Sequence, residues 1–131
     1  MKNLKLCGAC GGKKFTAFTN ETFLVGDEVP LHGLSGARCD SCGEVYFDDE
    51  SQDRYVDAGN ALVLARREAE QKMLLRVRKK LKLTQHQAAR LTGGGHNAFS
   101  RYERGEARPV PAVINLFRLL DHHPELLREI Q

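Results

Sequence analysis

The sequence predicts an α+β chain in two parts. The first is a small four-cysteine module of short antiparallel strands ending in a helix, and the second is an all-α domain of five helices. Three observations predict it. All four cysteines fall within the first 42 residues, as two C-x-x-C pairs. The stretch between the pairs is rich in Phe, Thr and Val and broken by turn residues, which is the texture of strands. From residue 70 onward, apolar residues recur at helical spacing between short breaks. The boundary falls near Ala69, giving parts 1–68 and 69–131.

A chain of 131 residues suffices for one ordinary domain or two small ones, and 41% apolar with 28% charged residues excludes disorder throughout. No apolar run reaches the ~18 residues of a membrane helix, and "MKNLKLCGAC" lacks the apolar core of a secretion signal. A cytoplasmic protein without a membrane partner is therefore expected. Charge is uneven: residues 1–68 hold 8 Lys and Arg against 11 Asp and Glu, and residues 69–131 hold 12 against 6, so the parts carry −3 and +6. This asymmetry directs the second part toward a polyanion and the first toward a basic partner, although two unequally charged solvated surfaces would give the same numbers.

The cysteines form Cys7-Gly-Ala-Cys10 and Cys39-Asp-Ser-Cys42, with 28 residues between the pairs. Two residues inside each pair let both sulfurs turn toward one point, and small neighbours (Gly8, Gly11, Gly12, Gly43) let backbone amides face them. Four thiolates in a tetrahedron suit one structural Zn²⁺ per chain. Disulfides are disfavoured in a chain without an export signal. A site filled by four thiolates leaves no position open for water, and the five histidines show no H-E-x-x-H or similar spacing, which argues against an enzyme.

Between the pairs, "KKFTAFTNETFLVGDEVPLHGLSGAR" is broken at "NE", "GDE" and "GLSG" into two or three short strands, and "EVYF" continues the pattern. A core of Phe15, Phe18, Phe23, Leu31, Tyr46 and Phe47 is too small to hold this part alone, so zinc should supply much of its folding energy. After "YFDDE" a helix begins, capped by Asp48 or by Asp49. Its stripe of Tyr55, Ala58, Leu62 and Ala65 is expected to face the zinc module. The polar run "ARREAEQK", residues 65–72, is either helical or a flexible tether.

In the second part, Leu74, Val77 and Leu81 form the face of a first helix. Thr84 caps the second, Ala89 is small where a neighbour would cross, and Gly93 closes it. Gly94 and Gly95 make a sharp turn. In "HNAFSRYERG", Phe99 and Tyr102 point inward, while Asn97 and Arg101, four apart, share another face with Ser100 and Arg104 beside them. Asn matches adenine N6/N7 and Arg matches guanine O6/N7 in the major groove. An ordinary helical hairpin with a solvated Asn and Arg is the competing reading of those two residues. Gly105 closes the third helix, and Pro109 and Pro111 lead into the fourth. Its apolar positions Val113, Ile114, Leu116, Phe117, Leu119 and Leu120 cover more than one face. Pro124 opens a last helix carrying Leu126, Leu127 and Ile130. Such a short domain has little interior. Part of this surface is therefore expected to bury against a second copy, a homodimer whose paired recognition helices would read a palindrome.

The segment "RKKLKLTQHQAARLTGGGHNAFSRYERGEARPVP" resembles the helix-turn-helix of the Xre and phage-repressor class. It carries that class's marks without gaps at Arg78, Thr84, Gln85, Ala89, Gly93, Glu103 and Gly105. The resemblance implies a Gln85 contact to a DNA phosphate, base-reading positions at His96, Asn97 and Arg101, and a structural ion pair of Arg78 with Glu103. Thr84, Ser100 and Arg104 are expected on phosphates beside them. Taken whole, the order of paired C-x-x-C module, acidic helix and Xre-type domain resembles the MqsA antitoxins of bacterial toxin–antitoxin pairs, with their YgiT-type zinc finger. "VRKKLKLTQ", "GGGHNAFSRYERG" and "LDHHPELLREI" carry the likeness most closely. It implies a zinc module that neutralises a small basic ribonuclease toxin of the MqsR type, and a C-terminal domain that dimerises on double-stranded operator DNA to repress its own operon. The protein would work in the bacterial cytoplasm, on the nucleoid when bound to DNA. The alternative is a stand-alone Xre-type repressor whose zinc module senses metal or oxidation.

Overall fold

The computed structural model describes residues 3–131. The chain divides into two compact units, Met1–Val63 and Leu64–Gln131, with helix α1 (Asp49–Lys80) running through the division. Residues 65–72 are therefore helical. The helix opens on Asp49 and Glu50 and ends on Arg78, Lys79 and Lys80, the order that the helix dipole favours. Among the described residues no helix is long and apolar enough to cross a membrane.

The first unit is a three-stranded antiparallel sheet in the order β1-β2-β3: β1 (Phe15–Val25), β2 (Val29–Cys39) and β3 (Val45–Phe47). The long hairpin runs from Phe15 opposite Cys39 to Val25 opposite Val29, turning through Gly26 and Asp27, both left-handed. Of the three expected breaks only "GDE" turns the chain. "NE" is an irregularity within β1, where the register shifts on either side of Glu21 and Asn20 takes φ 54°. "GLSG" lies wholly inside β2. Gly36 is there for closeness, because a Cβ on it would stand 2.1 Å from the Tyr46 carbonyl oxygen of β3.

Phe18, Val25, Leu34 and Ala37 are buried, so the interior includes three residues outside the expected core, whose other members, Phe15, Phe23, Leu31, Tyr46 and Phe47, are half-buried. Phe23 and Phe47 meet edge to face at 4.9 Å, and Phe47 stacks on Tyr55 of α1 at 5.1 Å. Arg38 lies over Phe18 at 4.8 Å and binds Glu21 at 2.6 Å. Asp48 is the cap of α1: its carboxylate accepts from Ser51 N–H at 2.8 Å, and this bond holds its pKa below the ordinary value. Of the expected stripe, Tyr55, Ala58 and Leu62 are half-buried, but Ala65 is exposed.

The second unit gathers the C-terminal half of α1, α2 (Gln85–Thr92), α3 (Ala98–Glu103), α4 (Pro111–His122) and a last segment, Pro124–Glu129, that winds as a 3₁₀ helix. Its core is Leu74, Val77, Ala88, Ala89, Phe99, Val113, Ile114 and Phe117. Ala88 and Ala89 are fully buried, consistent with close approach of neighbouring helices. Thr84 caps α2 reciprocally: its hydroxyl accepts from Gln87 N–H at 3.1 Å, and the Gln87 side chain accepts from Thr84 N–H at 2.8 Å. Gly93, with φ 76°, closes α2. Val113, Ile114, Phe117 and Leu120 are buried within this single copy and Leu116 is partly so, leaving Leu119 as the exposed member of the apolar set on α4. Asp121 at its end is bound by Arg76 at 2.7 Å and Lys80 at 2.9 Å from α1.

Candidate metal centre and nucleic-acid interface

Each cysteine pair sits in the same local turn. Gly11 N–H donates to the Cys7 carbonyl at 2.8 Å, and Gly43 N–H donates to the Cys39 carbonyl at 2.9 Å. Both glycines take left-handed φ near +75° to +79°, which a side chain would resist. The turns bring Cys7, Cys10, Cys39 and Cys42 together with all four sulfurs within 4.8 Å of one another. The nearest sulfurs are 3.7 Å apart (Cys7 to Cys42) and 3.6 Å apart (Cys10 to Cys39). A disulfide bond is ~2.05 Å. Thiolates ~2.3 Å from a central tetrahedral ion lie ~3.8 Å apart, so the cluster has the size of a ligand shell. All four thiols are free, Cys7 and Cys39 buried, Cys10 and Cys42 exposed.

Backbone amides and the Tyr46 hydroxyl support the sulfurs. Gly12 N–H donates to Cys10 Sγ at 3.4 Å. Tyr46 Oη lies 3.3 Å from Cys7 Sγ and accepts from Gly8 N–H at 2.8 Å, a position from which its proton can be given to a Cys7 thiolate. That hydroxyl is the largest influence lowering the Cys7 pKa to about 6. A soft, anionic, four-sulfur donor set with outer-shell hydrogen bonds can hold one divalent metal ion.

In the second unit, α3 is short and exposed on one side. Asn97 stands at its N-cap without using its side chain as the cap, and Asn97, Arg101 and Arg104 are exposed, with Ser100 half-buried beside them. His96, also exposed, lies with its ring 5.5 Å from that of His86 on α2. Phe99 is fully buried, and Tyr102 meets it at 5.4 Å. Beneath this face, Arg78 Nε donates to Glu103 Oε1 at 2.5 Å with both side chains largely buried, and Gln85 Nε2 donates to Glu103 Oε2 at 2.5 Å. Glu103 therefore joins α1, α2 and α3, and the Gln85 amide nitrogen is engaged inside the protein.

Residues 5–131 match the family described as the antitoxin component of the bacterial toxin-antitoxin system, MqsA. The chain belongs to the MqsA antitoxin family. It is 46% identical over 109 residues to Antitoxin MqsA of Escherichia coli (strain K12), a match covering 81% of this chain and 82% of that protein. As a member of the MqsA family it is an antitoxin, and a toxin partner follows from that membership. Two participants in the candidate sites, Tyr46 and His86, escape a motif search because they carry no spacing signal. Gln87 was legible, since T-x-x-Q is the pattern of a reciprocal helix cap.

Proposed function

We propose that the four-cysteine cluster holds one structural Zn²⁺ and that the unit around it neutralises a small, basic ribonuclease toxin of the MqsR type. The C-terminal unit, residues 69–131 in this reading, dimerises and represses the protein's own operon by binding a palindromic operator. The observation that carries this reading is the combination, in one member of an antitoxin family, of a four-thiolate cluster with an exposed helix face bearing Asn97 and Arg101.

Zinc is favoured by an all-sulfur, tetrahedral donor set that needs no redox chemistry. Four metal-bound thiolates add about −4 and the ion +2, taking residues 1–68 from −3 to about −5, a charge suited to a basic partner. Four thiolates fill the positions of a tetrahedral ion and leave none for water, and the function proposed is binding, not catalysis.

On DNA, Asn97 and Arg101 read adenine and guanine edges with His96 next to them, while Thr84, Gln85, Ser100 and Arg104 meet phosphates. Gln85 would do so through its amide nitrogen, which carries two N–H donors, giving one to Glu103 and the other to a phosphate. The exposed Val110, Leu119, Leu126 and Ile130 supply apolar surface for a second copy. The setting is the cytoplasm, with the protein on the nucleoid when bound to DNA. Arg101→Ala should cost about 1–3 kcal/mol of operator discrimination, and unchanged preference would remove its base-reading role.

Exposure of Cys10 and Cys42 favours a second reading, a stand-alone repressor that senses metal or oxidation. Operator affinity of the full chain measured with and without zinc separates the two. The antitoxin reading expects the affinities to agree, and the sensor reading expects a large difference.

A further inference from the structure

Helix α3 has six residues, too few to be stable alone, and its last four carbonyls, those of Ser100, Arg101, Tyr102 and Glu103, need partners from outside the helix. The following turn supplies three. Arg104 N–H donates to Ser100 at 3.2 Å, Glu106 N–H to Arg101 at 2.9 Å, and Gly105 N–H to Tyr102 at 3.1 Å. The last two are the paired bonds of a closure on left-handed Gly105, whose φ is +74°. The fourth partner comes from α1: Gln71 Nε2 donates to the Glu103 carbonyl at 2.7 Å.

The fit is close. Gln71 is half-buried, and its Oε1 would stand 3.2 Å from a Cβ placed on Gly105, so the amide lies against the bare backbone of the turn. The Glu103 side chain is meanwhile bound by Arg78, two turns further along α1. The main chain and the side chain of Glu103 are thus attached to α1 at separate points. One attachment leaves a pivot, whereas two fix a direction. Arg101 lies two residues before Glu103 on this short helix, and its own carbonyl belongs to the same closure.

We infer that Gln71 is a positioning residue for base recognition: by holding the Glu103 carbonyl it sets the direction of α3 and so the reach of Arg101. This rests on the DNA-reading role proposed above. It adds a determinant that lies outside the helix-turn-helix motif and touches no DNA.

The test uses the full-length, zinc-loaded protein at one fixed salt concentration with two probes. One is a duplex enriched by the wild-type protein from a random-sequence pool, and the other is a scrambled duplex of the same length and composition. Gln71→Met keeps the length and removes the donor, Gln71→Glu presents an acceptor to the carbonyl, and Gln71→Lys restores a donor. The ratio of the two affinities should fall about tenfold in Gln71→Met and Gln71→Glu, within the range of one bidentate base contact. Scrambled-duplex affinity should hold in Gln71→Met, and Gln71→Lys should recover most of the ratio. Arg101→Ala should matter less in the Gln71→Met background than in the wild type. An unchanged ratio in either folded donor-free variant would overturn the inference, as would an equal fall on both duplexes in Gln71→Met. A wild-type protein that enriches no duplex would instead remove the DNA reading beneath it.

Discussion

Tyr46 ties the metal cluster to the sheet. Its backbone pairs with Ala37 of β2, while its hydroxyl reaches back to Cys7 Sγ and the Gly8 amide. Removing only that hydroxyl, in Tyr46→Phe, leaves the ring contact with Phe15 and the backbone amides on Cys7, and takes away the side-chain hydroxyl beside the sulfur. Zinc affinity should fall about 10- to 100-fold, the usual cost of losing an outer-shell partner, in competition with a chromophoric chelator. An unchanged affinity would mean that the four sulfurs suffice. At the other site, Asn97→Ala should relax preference at one base pair by about 1–3 kcal/mol, read from a panel of single-base operator variants. The four-cysteine cluster was legible because ligand chemistry restricts residue type and spacing. Tyr46 and Gln71 were not legible, because each acts across a tertiary contact that no local periodicity encodes.

Among the elements, α2 depends on its reciprocal cap. Thr84→Ala removes the hydroxyl half of it, leaving the backbone N–H that donates to Gln87, and should cost about 1 kcal/mol, measured as a lower urea midpoint at constant slope. At the far end of the bundle, Asp121 holds α4 to α1, and its hydrogen bonds from Arg76 and Lys80 keep its carboxyl well below the usual carboxylate range. The sign follows from that direction. Stability from this group is fully present above the ordinary value of about pH 4 and is lost as pH falls through the lowered value in the folded state. Asp121→Asn should therefore lower the melting temperature at neutral pH and flatten its decline below about pH 4 in calorimetry. Equal acid limbs in both proteins would show that other carboxylates govern that decline.

The same scale shows why "GLSG" misled. Glycine marks turns when the backbone needs left-handed φ, but Gly36 serves the opposite purpose, letting two extended strands approach closely. The helices of the second unit were easier to read, since caps, apolar spacing and closing glycines lie within a few residues of one another. The 3₁₀ winding of Pro124–Glu129 was not, because a six-residue apolar segment after a proline is compatible with either helix type.

At the scale of the whole molecule, two small units carry different chemistry on one chain. The first has a small interior of Phe18, Val25, Leu34 and Ala37, so the proposed zinc should supply much of its folding energy, and the second has a continuous apolar core of its own. Chelation of the full-length protein should remove the strand signal in circular dichroism and spare the helices of the second unit. Loss of both together would show that the units fold as one. The dimerisation proposed above belongs to this scale too: Val110, Leu119, Leu126 and Ile130 are exposed, and Leu119→Glu should shift the sedimentation profile from dimer to monomer. The division of charge between the halves was readable from composition, whereas the toxin-binding residues were not, since an interface without a catalytic signature leaves no fixed spacing in sequence.

The most direct measurement is capture from the native host with the full-length, zinc-loaded protein as bait, followed by mass spectrometry. The same capture is repeated after chelation and with Arg101→Ala. The account predicts a small, basic, RNA-cleaving protein that Arg101→Ala retains and chelation releases. A saturating, folded bait that captures no such protein, while still footprinting a palindrome, would contradict it.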